Sequence, residues 1–240
     1  MSKLKLKPEE RIIVALDYPE HIKAENLAES LEGVVKTLKI GPILFMDSGP
    51  GGIKEFQHKG YEIFLDLKFH DIPSTVEKTA RQIVKFGVKM FTVHCLGGIP
   101  MLESVSMAVK EESEGLGIPR PAVLAVTVLT SHDKKSLEDI GIASSTGDEV
   151  LLLASLAEKS NIDGLVCSGF EVDTLRREFG DRFIYVVHGI RPGTEYQDQK
   201  RVTTPAEAVT AGADYMVIGR AITEAKNPVE AVNEIIKSIS

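Results

Sequence analysis

The sequence predicts an α/β chain folded as a single (β/α)8 TIM barrel, one domain over residues 1–240, and three observations carry that expectation. Eight runs rich in Val, Ile and Leu recur along 240 residues, about 30 residues per repeat, close to the size of a barrel's βα unit. Amphipathic stretches with apolar residues three and four apart lie between the runs. The runs are apolar almost throughout rather than alternating, the pattern of parallel strands covered by helices.

The first run, RIIVALD at 11–17, ends on Asp17, and Pro19 follows where a first helical turn favours proline. VVKTLKIG at 34–41 ends on Lys39, Ile40 and Gly41. EIFLDLKF at 62–69 carries Asp66 and Lys68 in its second half; Asp71 comes next, and Pro73 opens the amphipathic stretch STVEKTARQIVKFG. MFTVHCLG at 90–97 bears His94, and AVLAVTVLT at 122–130 bears Thr127 and Thr130. GLVCSG at 164–169, FIYVVHG at 183–189 before Arg191, and YMVIGR at 215–220 ending in Gly219 and Arg220 complete the set. Pro205 and Pro228 mark two later helix starts, with Thr204 and Asn227 as their N-caps. A doubly wound sheet binding a dinucleotide would need GxGxxG after the first strand, where this chain continues LDYPEH.

A net charge of −7, with Lys and Arg scattered along the chain, leaves no basic stripe for nucleic acid or an anionic membrane. The opening MSKLKLKPEE lacks the apolar core of a signal peptide, and no later run approaches the roughly 18 residues of a membrane span, so a cytoplasmic location is expected. Cys95 and Cys167 lie apart without metal spacing and read as buried reduced thiols.

A barrel assembles its active site at the C-terminal ends of its strands, where this chain concentrates its polar residues. Strand alternation puts Phe64, Asp66 and Lys68 on one face, opposite Leu65, Leu67 and Phe69. With the leucine face against helices, Asp66 and Lys68 point into the barrel mouth and Asp71 lies just beyond. A solvated edge strand would account for such charges in an antiparallel sheet, but a closed barrel has no edge. Flanking carboxylates favour the ammonium form of Lys68, which argues against a Schiff base and for a fixed cation that stabilises a carbanion and protonates it. Decarboxylation fits that arrangement. Across the mouth, backbone N–H groups near Gly219, with Arg220 and Arg191, suit a phosphate. The polar stretch 190–203 is either a lid that orders over the phosphate or a mobile surface loop.

The segments IVALD, LKIG, FLDLKFHDIPSTV, VTVLTS, GIRPG, DQKRV and VIGRAIT, in this order and spacing, resemble the orotidine 5′-monophosphate decarboxylase family over most of the chain. The resemblance implies a homodimeric enzyme, free of metal and cofactor, that converts orotidine 5′-monophosphate to UMP and CO2 in the last step of de novo pyrimidine synthesis. Lys68 would protonate C6 within a charged array of Lys39, Asp66 and Asp71, with Asp66 against the substrate carboxylate and Asp71 reaching into the partner's site. Asp17, Lys39 and Thr75 would contact the ribose, Thr130 the pyrimidine, and Gln199 the base and phosphate. Arg191, Gly219 and Arg220 would hold the phosphate. Ile72 and Pro73 follow the family pattern, whereas His188 stands where many bacterial members carry proline.

Two other readings compete. Magnesium-dependent phosphosugar decarboxylases and synthases of the same barrel group share D-x-K-x-x-D but place a carboxylate where this chain has Lys39, and a lysine there opposes a dication. A non-enzymatic nucleotide-binding barrel would need the array to be a structural ion-pair network. Of the histidines, His94 and His188 read as hydrogen-bonded barrel residues, His70 as turned outward or set in the turn, and His21, His58 and His132 as surface or loop residues.

Overall fold

Each of the eight apolar runs becomes a parallel strand in the computed structural model, which describes residues 6–191 and 203–240. The strands are β1 (Ile12–Ala15), β2 (Thr37–Ile40), β3 (Glu62–Phe69), β4 (Met90–His94), β5 (Ala122–Val126), β6 (Gly164–Ser168), β7 (Ile184–His188) and β8 (Tyr215–Ile218). They pair in sequence order, and β8 returns to β1 to close the barrel. Closure removes the sheet edge, so every strand has neighbours on both sides.

Period-two geometry divides the core into two layers. In β1, Ile12 and Val14 face the helices, while Ile13 and Ala15 turn inward beside Phe64, Leu124, Val166 and Val217. The inner layer fills the barrel floor and leaves the polar ends of the strands above it. Burying each such Val, Leu, Ile or Phe contributes about 1.5–3 kcal/mol.

An outer ring follows the strands: α1 (His21–Ser30), α2 (Pro42–His58), α3 (Pro73–Lys85), α4 (Gly98–Leu116), α6 (Thr146–Lys159), α7 (Gly169–Phe179), α8 (Pro205–Ala211) and α10 (Pro228–Ser238). Helix α3 shows the logic of the ring, for Val76, Ala80, Ile83 and Val84 share its buried stripe. Two short helices, α5 (Lys134–Asp139) and α9 (Arg220–Thr223), are additions to the loops after β5 and β8 that the repeat pattern did not announce.

Pro73, Pro205 and Pro228 each occupy the first turn of a helix, and Thr204 and Asn227 cap α8 and α10 through Glu207 and Glu230 N–H groups. Pro19 instead precedes the start of α1 at His21, whose N–H donates to Asp47 at 2.8 Å. Helix α2 breaks internally at Gly49, whose φ of 56° ends one helical segment before Pro50 begins the next. No helix among the described residues is long and apolar enough to cross a membrane.

Candidate active site

A cavity of about 750 Å³ opens at the C-terminal ends of the strands. Val126, Val166 and Val217 belong to its apolar floor, and Asp17, Lys39, Asp66, Lys68, Thr130, Arg191, Gly219 and Arg220 line its walls. Eight of the eleven site residues expected from the sequence therefore meet around one space. Asp71 and Thr75 lie outside it, exposed at the start of α3, where the Asp71 carboxylate accepts the Ile72 N–H at 2.6 Å. Gln199, and residues 192–202 of the loop expected over 190–203, fall outside the described residues.

The centre is a row of alternating charges. Lys39 Nζ donates to Asp17 Oδ1 at 2.9 Å and stands 3.6 Å from Asp66 Oδ2. Lys68 Nζ donates to both Asp66 oxygens, at 2.9 and 2.8 Å. Thr92 Oγ1 donates to Asp66 Oδ1 at 3.0 Å and accepts the Lys68 backbone N–H at 2.9 Å. The Asp66 side chain is 1% exposed and that of Lys39 7%, so neither charge relies on water for its compensation. Gly41 keeps the row open, because a Cβ there would lie 2.9 Å from Asp17 Oδ1 and 3.1 Å from Lys39 Nζ.

Burial opposes ionisation of Asp66, but the positive charge that His188 carries only in acid, with those of Lys39 and Lys68, outweighs it and brings the carboxyl from an ordinary 3.8 to about 2. Burial pushes His188 down to about 4, so at neutral pH its ring is uncharged and the two lysines hold Asp66 ionised.

Strand alternation accounts for Asp66 but not for Lys68. The β3–β4 register shifts between Leu65 and Phe69, and Lys68 has φ of 49°, a left-handed conformation that a non-glycine residue adopts at a cost. The bulge turns Lys68 out of the pleat and folds its side chain back onto Asp66, with Thr92 securing its N–H. A strained backbone at the central cation is characteristic of a site whose geometry is imposed by its surroundings.

Thr92 and His188 belong to the site: Thr92 is not among the residues expected there from the sequence, and His188 reads at its strand end as a pocket-lining candidate but preferably as a hydrogen-bonded barrel residue. Thr92 is a hydroxyl inside an otherwise apolar strand run, a signal that sequence can carry. His188 lines the cavity, with Nε2 buried, unpartnered and 3.9 Å from Asp66 Oδ2. His94 Nδ1 is likewise buried without a partner, so the expectation of hydrogen-bonded barrel histidines fails for both rings at these atoms. His70 does face outward and stacks on His94 at 5.6 Å between ring centroids. Both cysteines are buried and outside any disulfide, and Cys167 touches the cavity. Among the described residues, His21, Glu25 and Glu55 form a cluster close enough to hold a metal ion, but they sit on α1 and α2 outside the cavity lining.

The chain is similar to known proteins along nearly its whole length. The family model described as "Orotidine 5'-phosphate decarboxylase / HUMPS family" matches residues 10–235. The orotidine 5′-phosphate decarboxylase of Hydrogenovibrio crunogenus is 42% identical over 235 residues, 98% of each chain. That of Halorhodospira halophila is 45% identical over 231 residues, 96% of each chain. Among solved structures, the orotidine 5′-phosphate decarboxylase of Lactobacillus acidophilus superposes with a TM-score of 0.84 at 36% identity, covering 96% of this chain and 99% of its own. With a closed eight-strand barrel, a charged row at its mouth and these full-length matches, the chain belongs to the orotidine 5′-phosphate decarboxylase / HUMPS family.

Proposed function

We propose that this chain decarboxylates orotidine 5′-monophosphate to UMP and CO2, the last step of de novo pyrimidine synthesis, as one barrel domain working in the cytoplasm. The observation that carries this reading is Lys68 Nζ at the cavity, held on both oxygens of a carboxylate that stays ionised at neutral pH. When the bond from C6 to the carboxylate breaks, its electron pair remains on C6. Lys68 stabilises that carbanion through its charge and transfers a proton to it, then regains one from solvent. Asp66 keeps the ammonium group in place and meets the substrate carboxylate with a like charge.

Substrate binding divides along the cavity wall. Arg191, Gly219 and Arg220 take the phosphate, Asp17 and Lys39 the ribose, and Thr130 the pyrimidine, so that binding energy from the non-reacting end seats the ring against Lys68. Gln199 is assigned to the base and phosphate. Asp71 and Thr75, exposed beside the mouth, support a homodimer in which Asp71 completes the partner's site and Thr75 adds a ribose contact.

The magnesium-dependent chemistry of related barrels is disfavoured because Lys39 Nζ fills the space between Asp17 and Asp66 with a positive charge. The test is to follow loss of orotidine 5′-monophosphate absorbance, with UMP identified as product, in the presence of EDTA. Turnover unaffected by chelation is expected. Activity that requires added Mg²⁺ transfers the chain to the metal-dependent group.

A further inference from the structure

We propose that His188 is a substrate-binding residue of this site, its Nε2–H donating to the substrate carboxylate beside Asp66, a role that rests on the decarboxylase reading above. His188 ends β7 opposite Ser168 of β6, which puts its side chain at the barrel rim and on the cavity wall. Phe64 meets the ring edge-on, 6.4 Å between centroids. Nε2 is buried without a hydrogen-bond partner. Such an atom costs a fold about as much as a lost hydrogen bond, and the cost is relieved where a ligand brings the missing partner.

The ring is neutral, so one nitrogen carries a proton and the other a lone pair. Nε2 faces Asp66 Oδ2, and a lone pair turned toward that anion is repelled whereas an N–H is attracted. The surroundings therefore assign the proton to Nε2. At 3.9 Å the two atoms are too far apart to bond each other, so the donor is left for a third group. Lys39 is already bonded to Asp17, and Lys68 to Asp66. The group that the decarboxylase reading places against Asp66 is the substrate carboxylate, an acceptor without a proton of its own. A neutral donor suits this position: it satisfies a lone pair on binding without cancelling the negative charge of the carboxylate, which passes to C6 as neutral CO2 leaves.

The test compares steady-state kinetics on orotidine 5′-monophosphate with inhibition by UMP, which lacks the carboxylate, for the parent, His188→Met and His188→Gln. The Met variant is expected to raise KM about tenfold, the value of one hydrogen bond, with kcat undiminished and the UMP inhibition constant within about twofold of the parent. His188→Gln, whose amide nitrogen reaches the place of Nε2, is expected to restore most of the loss in KM. Should the Met variant fail to fold by circular dichroism, His188→Phe replaces it. A KM unchanged in the apolar variant, a UMP constant that rises in step with KM, a fall in kcat alone, or a Gln variant no better than the apolar one overturns the proposal. A parent that does not consume orotidine 5′-monophosphate overturns the decarboxylase reading itself; an active parent with silent His188 variants rejects only the role of the histidine.

Discussion

Replacing Asp66 with Asn keeps the shape of the side chain and removes the charge that organises the cavity, so its cost measures the carboxylate against a neutral isostere. A carboxyl brought from 3.8 to about 2 by folding favours the ionised native state by about 2 kcal/mol at neutral pH, at 1.36 kcal/mol per unit. The substitution also leaves Lys39, 7% exposed, with Asp17 as its remaining close carboxylate, and breaking a buried pair in this way costs up to about 3–5 kcal/mol. The expected loss is therefore about 2–4 kcal/mol, or a melting temperature lower by about 5–15 °C in a chain of this size. Urea unfolding followed by circular dichroism measures it directly. Because the folded pKa is depressed, the contribution is fully present above about pH 4 and is lost as pH falls from 3.8 toward 2, so the gap between parent and Asp66→Asn stays constant from neutral pH to pH 5 and closes in stronger acid. A variant as stable as the parent at pH 7 would show that desolvation of the row cancels its attraction.

Two further outcomes follow from the same geometry. Arg220→Ala, at the head of α9 on the cavity wall, is expected to raise KM for orotidine 5′-monophosphate by about 10- to 100-fold while leaving kcat/KM for the phosphate-free nucleoside as in the parent, and an equal loss on both substrates rejects the phosphate assignment. His188 is lowered to about 4 chiefly by burial, and His94 to about 4 by burial and then by the charges of His70, Lys68 and His132. The unfolded chain therefore takes up protons between pH 6.5 and 4 that the folded chain excludes, and stability falls as pH is lowered through that window by at most about 3 kcal/mol per histidine. Urea midpoints at pH 7.5 and 4.5 that coincide would contradict both burials.

Residue chemistry made the architecture legible because parallel strands covered by helices must be apolar throughout, and eight such runs leave few alternatives. Their ends were less legible. The run at 34–41 begins with Val34 and Val35, yet β2 starts at Thr37, and β5 stops at Val126 although Thr127, Val128 and Leu129 continue its pattern. Apolar residues in the connecting turns pack against the same core, so hydrophobicity outlasts the strand. Asp17, Lys39 and Asp66 were readable as charges at strand ends. The placement of Lys68 was reached through an alternation that the β3 bulge replaces, since a register shift depends on the neighbouring strand and leaves no mark in local periodicity. Thr92 and His188 acquire their roles from Asp66, which is 26 residues from the first and farther still from the second. Asp71 was identified by resemblance, and a single chain leaves it exposed beside the mouth.

Steady-state consumption of orotidine 5′-monophosphate by the parent and by Lys68→Ala, without added metal, tests the account most directly. The parent is expected to produce UMP, and Lys68→Ala to lose turnover by at least about 10²–10⁴-fold, the contribution of a positioned proton donor, while its circular dichroism spectrum is retained. Undiminished turnover by a folded Lys68→Ala protein, or none by the parent, would contradict it.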